Sequence, residues 1–436
     1  MTRILAVLAV AVLLHGCGRG SSALETDPNS GTAAQGSLID PQKIDSALSG
    51  LVESGALVGV SALVYERGQE AYFGAFGLAD RESGQPMKRD TLVQIFSMTK
   101  PITGVALMTL YDEGRLQLDD PIAKYAPEFA DLRVYVGNDA RGRPIYEAPR
   151  RPPTIRDVMR HTAGLTSGNE DTSPVGELFR KADPMNRNNT LAEMAKKLAS
   201  VPLLYQPGTR WLYGPSVDVQ AYLVERISGE PFEQVLQKRI FDPLKMHDTR
   251  YTLRPEDKAR IAAVYRRADD GTLVRIPDEE AFAFNGQAWP LKPGGWGLVS
   301  TLDDYMRFAR MLLNKGELDG VRVLSPDAVA LMATNAMPSE VTDTSWLPSK
   351  GQVGFGIDFA VRIAPPATPE EASGEIGEFF WDGAANTLFF VDPTNQIAAV
   401  LFTQYRPFGK VPLHKAFRDA IYYKDETASA PAKPAS

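Results

Sequence analysis

The β-rich segments of this 436-residue chain lie close to its two ends. Residues 57–77 (LVGVSALVYERGQEAYFGAFG) hold two runs rich in β-branched and aromatic residues on either side of Arg67-Gly68, a pattern typical of a hairpin. Residues 386–392 and 396–405 form a second pair of such runs around a Pro-Thr-Asn turn signal. The simplest way to bury these apolar runs is a single antiparallel sheet that both ends of the chain enter.

Helical patterns fill most of the chain between these strands. Apolar spacing predicts helices over 41–54 and 413–423, and a series of shorter helices across about 150–290. Residues 300–316 (STLDDYMRFARMLLNKG) predict a strongly amphipathic helix with Thr301-x-x-Asp304 as its capping box. The expected fold class is mixed α/β (α+β), with an antiparallel β-sheet flanked by helices and an inserted, mainly helical domain at about 150–290.

The first 17 residues have the pattern of a signal peptide. Met-Thr-Arg supplies a positive start, and ILAVLAVAVLL is an apolar stretch too short to span a membrane as a helix. Leu14-His15-Gly16-Cys17 is similar to the bacterial lipoprotein signal, in which the cysteine is lipidated, although His15 departs from that pattern. Ordinary secretion with cleavage near Gly16 is the alternative. Either route predicts an exported bacterial protein, periplasmic or held at a membrane by a lipid on Cys17.

Composition changes mark the remaining boundaries. Residues 18–38 are small and polar and predict a flexible linker, and 425–436 (DETASAPAKPAS) predict a disordered tail. Residues 39–424 are therefore predicted to form the folded domain.

Charge, cysteine and histidine usage exclude several classes of function. The net charge is −7 and no basic run occurs, so no nucleic-acid partner is expected. Cys17 is the one cysteine, and the four histidines are scattered without an H-E-x-x-H pair. The sequence therefore predicts no metal site and no cofactor.

Ser97 and Lys100 form the first candidate catalytic pair, within QIFSMTKPITG (94–104). An apolar run that continues to Leu110 predicts a buried helix, and Pro101 is tolerated only in its first turn, so Ser97 should lie at the helix N-terminus. Serine needs a base to act as a nucleophile, and a spacing of three places Lys100 on the same helix face. The alternative is a capping serine near a solvated lysine, since this spacing is common by chance.

Tyr213 is the second candidate. It precedes Gly214-Pro215, a turn, and then a helix that Ser216 is predicted to cap. A tyrosine at such a junction can direct its hydroxyl into a cleft beside a lysine. The alternative is an aromatic ring packed under a loop.

Trp381-Asp382-Gly383-Ala384 is the third candidate, within the strand-like FFWDG and the residues that follow it. A glycine in such a run suggests close approach of a backbone or a ligand. The N–H of Ala384 could then pair with that of Ser97 as an oxyanion hole. The alternative is an edge-strand bulge with a packed tryptophan.

These three motifs, in this order, resemble the serine β-lactamase and penicillin-binding-protein superfamily. The closest resemblance is to class C β-lactamases and to family VIII carboxylesterases. It covers about residues 39–424, with further matching stretches at 156–168, 203–216, 293–316 and 379–393.

The resemblance implies a role for each motif residue. Ser97 would attack an acyl carbon, and Lys100 and Tyr213 would accept its proton and pass one to the leaving group. The N–H groups of Ser97 and Ala384 would hold the oxyanion. Substrate contacts would come from the third motif and the tyrosine motif, at Trp381, Gly383 and Ser216.

Two departures from the family pattern concern the substrate. Trp381 stands where β-lactamases usually carry a lysine that helps to bind a carboxylate, and tryptophan at this place resembles the esterases. Pro215 stands where class C enzymes carry the asparagine of Tyr-x-Asn, with Ser216 next to it as a partial substitute. Both departures favour neutral esters over β-lactams.

Other residues invite a functional interpretation that the sequence does not favour. His161 could be the base of a Ser-His pair, but the resemblance implies a structural role. Asp218 is expected to support its helix and loop. Trp289 and Trp296 are candidate cleft walls, with packing as the alternative.

The predicted function is that of an exported serine hydrolase that forms an acyl-enzyme on Ser97 and acts as a carboxylesterase on neutral esters. Its partner would be a small-molecule ester or amide substrate. The alternatives are a β-lactamase or D-Ala-D-Ala peptidase, and a catalytically inactive binding protein on the same fold. The sequence makes no prediction of oligomeric state.

Overall fold

The computed structural model describes residues 36–168 and 171–422. The predicted signal peptide with Cys17, most of the predicted linker and the predicted tail lie outside the described residues.

An antiparallel sheet of eight strands forms the centre of the fold. Its strands, numbered here in chain order, are β1 Gly59–Glu66, β2 Gln69–Asp80, β3 Gln85–Pro86, β4 Val353–Phe355, β5 Ala360–Arg362, β6 Phe379–Asp382, β7 Leu388–Asp392 and β8 Ile397–Phe402. Their spatial order is β4-β5-β6-β7-β8-β1-β2-β3, and every neighbouring pair is antiparallel. Strand β1 pairs with β8, with Ser61 opposite Phe402. The predicted antiparallel sheet fed by both ends of the chain is confirmed.

The hairpin turns follow from their residues. Arg67 and Gly68 both have positive φ, 50° and 79°, as a two-residue loop between antiparallel strands requires. Between β7 and β8 the Asp392 carboxylate accepts hydrogen bonds from the N–H groups of Thr394 and Asn395, at 2.9 and 3.0 Å, which fixes the turn. Asp358 (φ 57°) bends the strand-like run 354–363 into the separate strands β4 and β5.

Twelve α-helices occur within the described residues. They are α1 Pro41–Glu53, α2 Thr99–Asp112, α3 Ile155–Met159, α4 Pro174–Ala182, α5 Leu191–Ala199, α6 Ser216–Ser228, α7 Phe232–Leu236, α8 Asp242–Leu244, α9 Asp278–Ala281, α10 Leu302–Leu313, α11 Pro326–Met332 and α12 Leu413–Ile421. A π-helical turn, Gln237–Phe241, joins α7 to α8. Helices α3 to α9 all lie between β3 and β4 in the chain. None of the helices in the described parts of the chain is long and apolar enough to cross a membrane.

The remaining strands are short. They pair as Val93–Gln94 with Val299–Ser300, Val134–Asn138 with Pro144–Glu147, Glu317–Leu318 with Val321–Arg322, and Tyr265–Arg267 with both Leu273–Arg275 and Tyr405–Arg406.

Helices cover both faces of the sheet, as two neighbouring residues of β7 show. The ring of Phe389 contacts Tyr305 of α10, with centroids 5.0 Å apart, whereas that of Phe390 faces Phe417 of α12 at 6.3 Å. Successive strand residues point to opposite faces, so α10 and α12 pack on opposite sides. Because both faces are covered, β8 (IAAVLF) is buried at every position.

The predicted capping box of α10 is only half formed. Thr301 is the N-cap residue, and its side chain accepts a hydrogen bond from the N–H of Asp304 at 3.4 Å. The Asp304 carboxylate does not return to Thr301. It accepts instead from the N–H of Asp248 at 2.7 Å and the hydroxyl of Thr249 at 2.9 Å. A partner from a distant loop has replaced the local one that the sequence pattern suggested.

Candidate active site

Ser97 and Lys100 lie at the start of the buried helix α2. Ser97 belongs to a 3-10 turn, Phe96–Met98, that leads directly into the helix. The Nζ of Lys100 is 3.3 Å from the Oγ of Ser97 and donates a hydrogen bond to the carbonyl oxygen of Gly295 at 2.7 Å. Lys100 is 5% exposed, because every residue of α2 from Thr99 to Leu110 is buried. Lys100 is therefore a buried amine beside a serine, and not the solvated lysine of the alternative.

Tyr213 presents its ring to Lys100. The Nζ of Lys100 lies 4.5 Å from the centre of that ring. The Tyr213 hydroxyl accepts a hydrogen bond from the indole N–H of Trp381 at 3.4 Å, and within the described residues it has no hydrogen bond to Ser97 or Lys100. The rings of His161 and Trp211 pack against the tyrosine. The three motifs that are far apart in the chain thus meet in one place.

The end of β6 lies against the segment that precedes Ser97. A Cβ at Gly383 would be 2.5 Å from the carbonyl oxygen of Ile95 and 2.3 Å from the Oγ1 of Thr387, so only glycine allows this approach. Among the described residues no hydrogen-bond partner is found for the N–H of Ser97 or of Ala384. Strand β6 is an interior strand, between β5 and β7, so the alternative of an edge-strand bulge is wrong.

Ser216 differs from its prediction. It is the first residue of α6, the N-cap residue is Pro215, and no side chain caps the helix. The Ser216 hydroxyl is buried, with 1% of the residue exposed, and finds no hydrogen-bond partner in the described parts of the chain. The predicted cap is wrong because the helix begins at Ser216 itself, one residue earlier than a helix capped by Ser216 would begin.

Trp381 is almost fully buried. It is 2% exposed, packed against Tyr213 and Phe355 at ring-centroid distances of 5.5 and 5.4 Å. The Nζ of Lys350 lies 5.4 Å from its ring centre, and this ammonium forms an ion pair with Asp382. The tryptophan therefore presents an apolar ring and one N–H donor beside Tyr213.

A buried carboxylate, Asp218, approaches Lys100 from α6. It is 3% exposed, and its Oδ1 accepts a hydrogen bond from the N–H of Gly295 at 3.1 Å. Burial raises the pKa of Asp218 to about 6, although the charge of Lys100 and neighbouring backbone N–H groups act in the opposite direction. The role of Gly295 was not predicted, although the glycine pair in PGGWG (293–297) was a local signal for close backbone packing.

His161 is fully buried among aromatic rings. Its ring lies 5.6, 5.0 and 5.4 Å from those of Trp211, Tyr213 and Phe355. Neither ring nitrogen has a hydrogen-bond partner among the described residues, and burial together with the charge of Lys100 holds the pKa of His161 well below its usual value. The neutral imidazole packs and makes no hydrogen bond. Across residues 36–168 and 171–422, no group of three or more His, Cys, Asp or Glu side chains could hold a metal ion.

The sequence model of the beta-lactamase family matches residues 44–423. The chain belongs to this family. It is 36% identical over 363 residues to an uncharacterised protein of Mycobacterium tuberculosis, with 81% of this chain and 88% of that protein covered. It is 31% identical over 405 residues to esterase EstB of Burkholderia gladioli, covering 87% and 94%. The solved structure of EstCE1, described as a hydrolase with promiscuous acyltransferase activity, matches with a TM-score of 0.71 at 25% identity, covering 87% of this chain and 98% of that one.

The resemblance inferred from the order of the motifs is confirmed, and this member of the beta-lactamase family is a serine hydrolase. Two cavities border its candidate site. One, of about 480 Å³, is lined by Phe96, which precedes Ser97, by Trp296, which follows Gly295, and also by Phe284 and Trp289. Both candidate cleft tryptophans therefore face a cavity.

The second cavity, of about 840 Å³, is lined by Tyr213 and by Trp346, which is 55% exposed. Tyr135 and Tyr205 also line it, together with polar residues such as Thr166. This beta-lactamase-family hydrolase thus has one cavity lined by four aromatic rings and by polar residues, beginning at the neighbour of its candidate nucleophile, and a larger, more polar cavity next to Tyr213.

Proposed function

We propose that this serine hydrolase is a carboxylesterase that acts on neutral esters through an acyl-enzyme on Ser97. The observation that carries the proposal is the contact between Trp381 and Tyr213, because an indole N–H occupies the position from which a lysine would attract a carboxylate. The cation beside Trp381, Lys350, is already paired with Asp382. A substrate without a negative charge suits such a site.

The positions of the side chains support the following reaction. The Oγ of Ser97 attacks the acyl carbon, and its proton passes to the Lys100–Tyr213 pair, whose Lys100 Nζ is 3.3 Å away. The N–H groups of Ser97 and Ala384 stabilise the negative charge on the carbonyl oxygen. The C–O bond of the ester breaks, and the alkoxide takes a proton from the Lys100–Tyr213 pair and leaves as an alcohol. Water then attacks the acyl-enzyme, the carboxylic acid departs, and Ser97 recovers its proton.

The two cavities fit the two arms of an ester. An acyl carbon bound to Ser97 would place one arm towards the cavity of Phe96 and Trp296 and the other towards the cavity of Tyr213 and Trp346. The four aromatic rings of the smaller cavity favour an apolar group there, although Arg187 and Glu280 also line it. The larger cavity suits a bulkier or more polar group.

A pair of chromogenic substrates tests the proposal, a short-chain nitrophenyl ester and a cephalosporin, with Ser97→Ala and the exposed Ser46→Ala as the matched control. Ester turnover that disappears in Ser97→Ala and persists in Ser46→Ala supports an esterase on Ser97. Faster turnover of the cephalosporin would instead indicate the β-lactamase alternative. Absence of both turnover and labelling by a fluorophosphonate would favour the inactive binding protein.

Acyl transfer to an alcohol is a second candidate function. It is favoured by the similarity to EstCE1 and by the large cavity beside Tyr213, which has room for an alcohol in place of water. The test is to add a primary alcohol to the esterase assay and to measure the new ester against the free acid. A hydrolase without transferase activity gives only the acid at every alcohol concentration.

We also propose that the protein is exported, on the evidence of its first 17 residues, and anchored by a lipid on Cys17. Mass spectrometry of the mature N-terminus in a bacterial host tests this, with Cys17→Ser as the control. A lipidated Cys17 in the membrane fraction supports the anchor. An unmodified N-terminus in the soluble fraction would leave only secretion.

A further inference from the structure

The backbone from Pro293 to Gly295 is fixed to its surroundings by each of its carbonyl groups in turn. The oxygen of Pro293 accepts a hydrogen bond from the hydroxyl of Tyr251 at 2.7 Å, and that of Gly294 accepts one from the hydroxyl of Thr103 at 2.7 Å. The oxygen of Gly295 accepts the third, from the Nζ of Lys100 at 2.7 Å. This segment is called here the 293–295 strap. The carbonyl of its last residue, Gly295, therefore binds the amine that faces Ser97.

Asp218 also binds Gly295, the last residue of the strap. Its Oδ1 accepts a hydrogen bond from the N–H of Gly295, so one residue joins the carboxylate to the amine. A Cβ on Gly295 would lie 3.2 Å from the Oδ2 of Asp218 and 3.3 Å from the Nζ of Lys100. Asp218 and Lys100 thus flank a residue that has no side chain to separate them.

The geometry points to Asp218 as a positioning residue for the acylation step, which holds Gly295 so that its carbonyl keeps the Nζ of Lys100 directed at Ser97. The inference rests on the proposed function, since it assigns Lys100 to the activation of Ser97. An amine that donates one N–H to a fixed carbonyl has its lone pair directed by that bond. A carbonyl that moved would move the amine with it, and misplacement of a catalytic group by about 1 Å can cost about 10²-fold in rate.

Simple support of the helix is the competing explanation for Asp218. The residue lies in the first turn of α6, where a negative charge is favourable. That role would affect the stability of the fold and leave the rate of acylation in the folded enzyme unchanged. The two explanations therefore differ in kcat and not only in Tm.

The experiment compares Asp218→Asn, Asp218→Ala and Gly295→Ala in the full chain, with Ser97→Ala as the reference for the proposed function. Asp304→Asn is the matched control, because Asp304 is another buried acid whose hydrogen bonds go to Asp248 and Thr249 and not to the site. Measurements are kcat and KM for the nitrophenyl ester, the rate of labelling by a fluorophosphonate, and Tm.

We expect Asp218→Ala to lower kcat and the labelling rate by at least about tenfold with KM changed by less than about threefold, because an orienting contact is lost. Asp218→Asn, whose amide oxygen can still accept from Gly295, is expected to recover most of that loss. Gly295→Ala should resemble Asp218→Ala, since its methyl group would lie 3.2 Å from the Asp218 Oδ2 and 3.3 Å from the Lys100 Nζ and would displace one or both. Asp304→Asn should leave kcat unchanged.

Each other outcome is decisive. If Ser97→Ala retains activity, the proposed function is wrong, and the positioning role of Asp218, which depends on it, is wrong as well. If Ser97→Ala is inactive and folded Asp218→Ala has the kcat of the wild type, the positioning role is overturned. Should Asp218→Ala not fold, a folded Gly295→Ala with wild-type kcat overturns the inference in the same way.

Discussion

The indole N–H of Trp381 lies 3.4 Å from the hydroxyl oxygen of Tyr213. This single contact connects the third motif to the second, and it uses the residue that departs most from the β-lactamase pattern. The tryptophan orients the tyrosine hydroxyl, and its own ring is held by Phe355. If the proposed roles hold, a substitution of Trp381 should therefore affect both specificity and catalysis.

Trp381→Phe should lower kcat for the ester about two- to fivefold, because a long hydrogen bond between neutral groups contributes at the low end of about 0.5–1.5 kcal/mol. The matched control is Trp211→Phe. Trp211 also packs against the Tyr213 ring, but its indole N–H has no hydrogen-bond partner in the described residues. Steady-state kinetics of both variants check the prediction, and equal losses would show that packing alone matters.

Gly383→Ala should lower kcat by about 10²-fold, the usual effect of disturbing an oxyanion donor. The added methyl group would meet the carbonyl oxygen of Ile95 at 2.5 Å, and β6 would have to move away from the segment that carries Ser97. Gly50→Ala, where a Cβ meets nothing within 4 Å, is the control. Steady-state kinetics of the two purified variants test this prediction. Full activity of Gly383→Ala would show that the N–H of Ala384 does not bind the oxyanion.

His161→Phe should change kcat by less than about threefold, because a neutral imidazole without hydrogen bonds contributes packing and no proton transfer. Phenylalanine at position 161 would have to adopt the same left-handed backbone conformation as the histidine, with a φ of 59°. By comparison, Lys100→Met should lose at least about 10²-fold, the lower range for a general base. A loss of about 10²-fold in His161→Phe, with unchanged Tm, would indicate that His161 has a catalytic role.

Asp304→Asn should raise the free energy of unfolding at pH 8 by about 1–3 kcal/mol. Burial raises the pKa of Asp304 to about 6, above its usual value of 3.8. Between pH 3.8 and about 6 the Asp304 carboxyl is ionised in the unfolded chain but still protonated in the folded protein. The free energy of unfolding therefore falls as the pH rises through this range, and the full loss is present at pH 8. The Oδ2 of Asp304 accepts both of the side chain's hydrogen bonds, and the side-chain oxygen of an asparagine can accept them in its place.

Urea denaturation of wild type and Asp304→Asn at pH 4 and pH 8 checks this prediction. The difference in unfolding free energy between the two proteins should be present at pH 8 and largely absent at pH 4. A variant that is less stable than the wild type at pH 8 would contradict it.

Local patterns were sufficient to predict the parts of the fold that depend on neighbouring residues. The hairpin at Arg67-Gly68 and the buried helix after Ser97 follow from turn chemistry and apolar spacing, and both are present. The family resemblance rested on three short motifs in the right order, and their residues meet in the structure.

The sequence could not reveal contacts that arise only when distant segments pack. The strap at Gly295 lies far along the chain from both Lys100 and Asp218, and nothing local connects the three. Asp304 was predicted to complete a local cap, but its carboxylate accepts a hydrogen bond from the N–H of Asp248 in a distant loop. Asp358 divides a strand-like run by adopting a left-handed conformation that composition does not indicate.

The pairing of β1 with β8 has a consequence for how the chain folds. Ser61 and Phe402 are far apart in the chain, so the pairing of these two central strands closes a very long loop. Folding dominated by such distant contacts is slow, and the unpaired edge of β1 is open to aggregation in the meantime. A truncation before residue 397 removes β8, splits the sheet into two halves, and leaves β1 and β7 each with an exposed apolar edge.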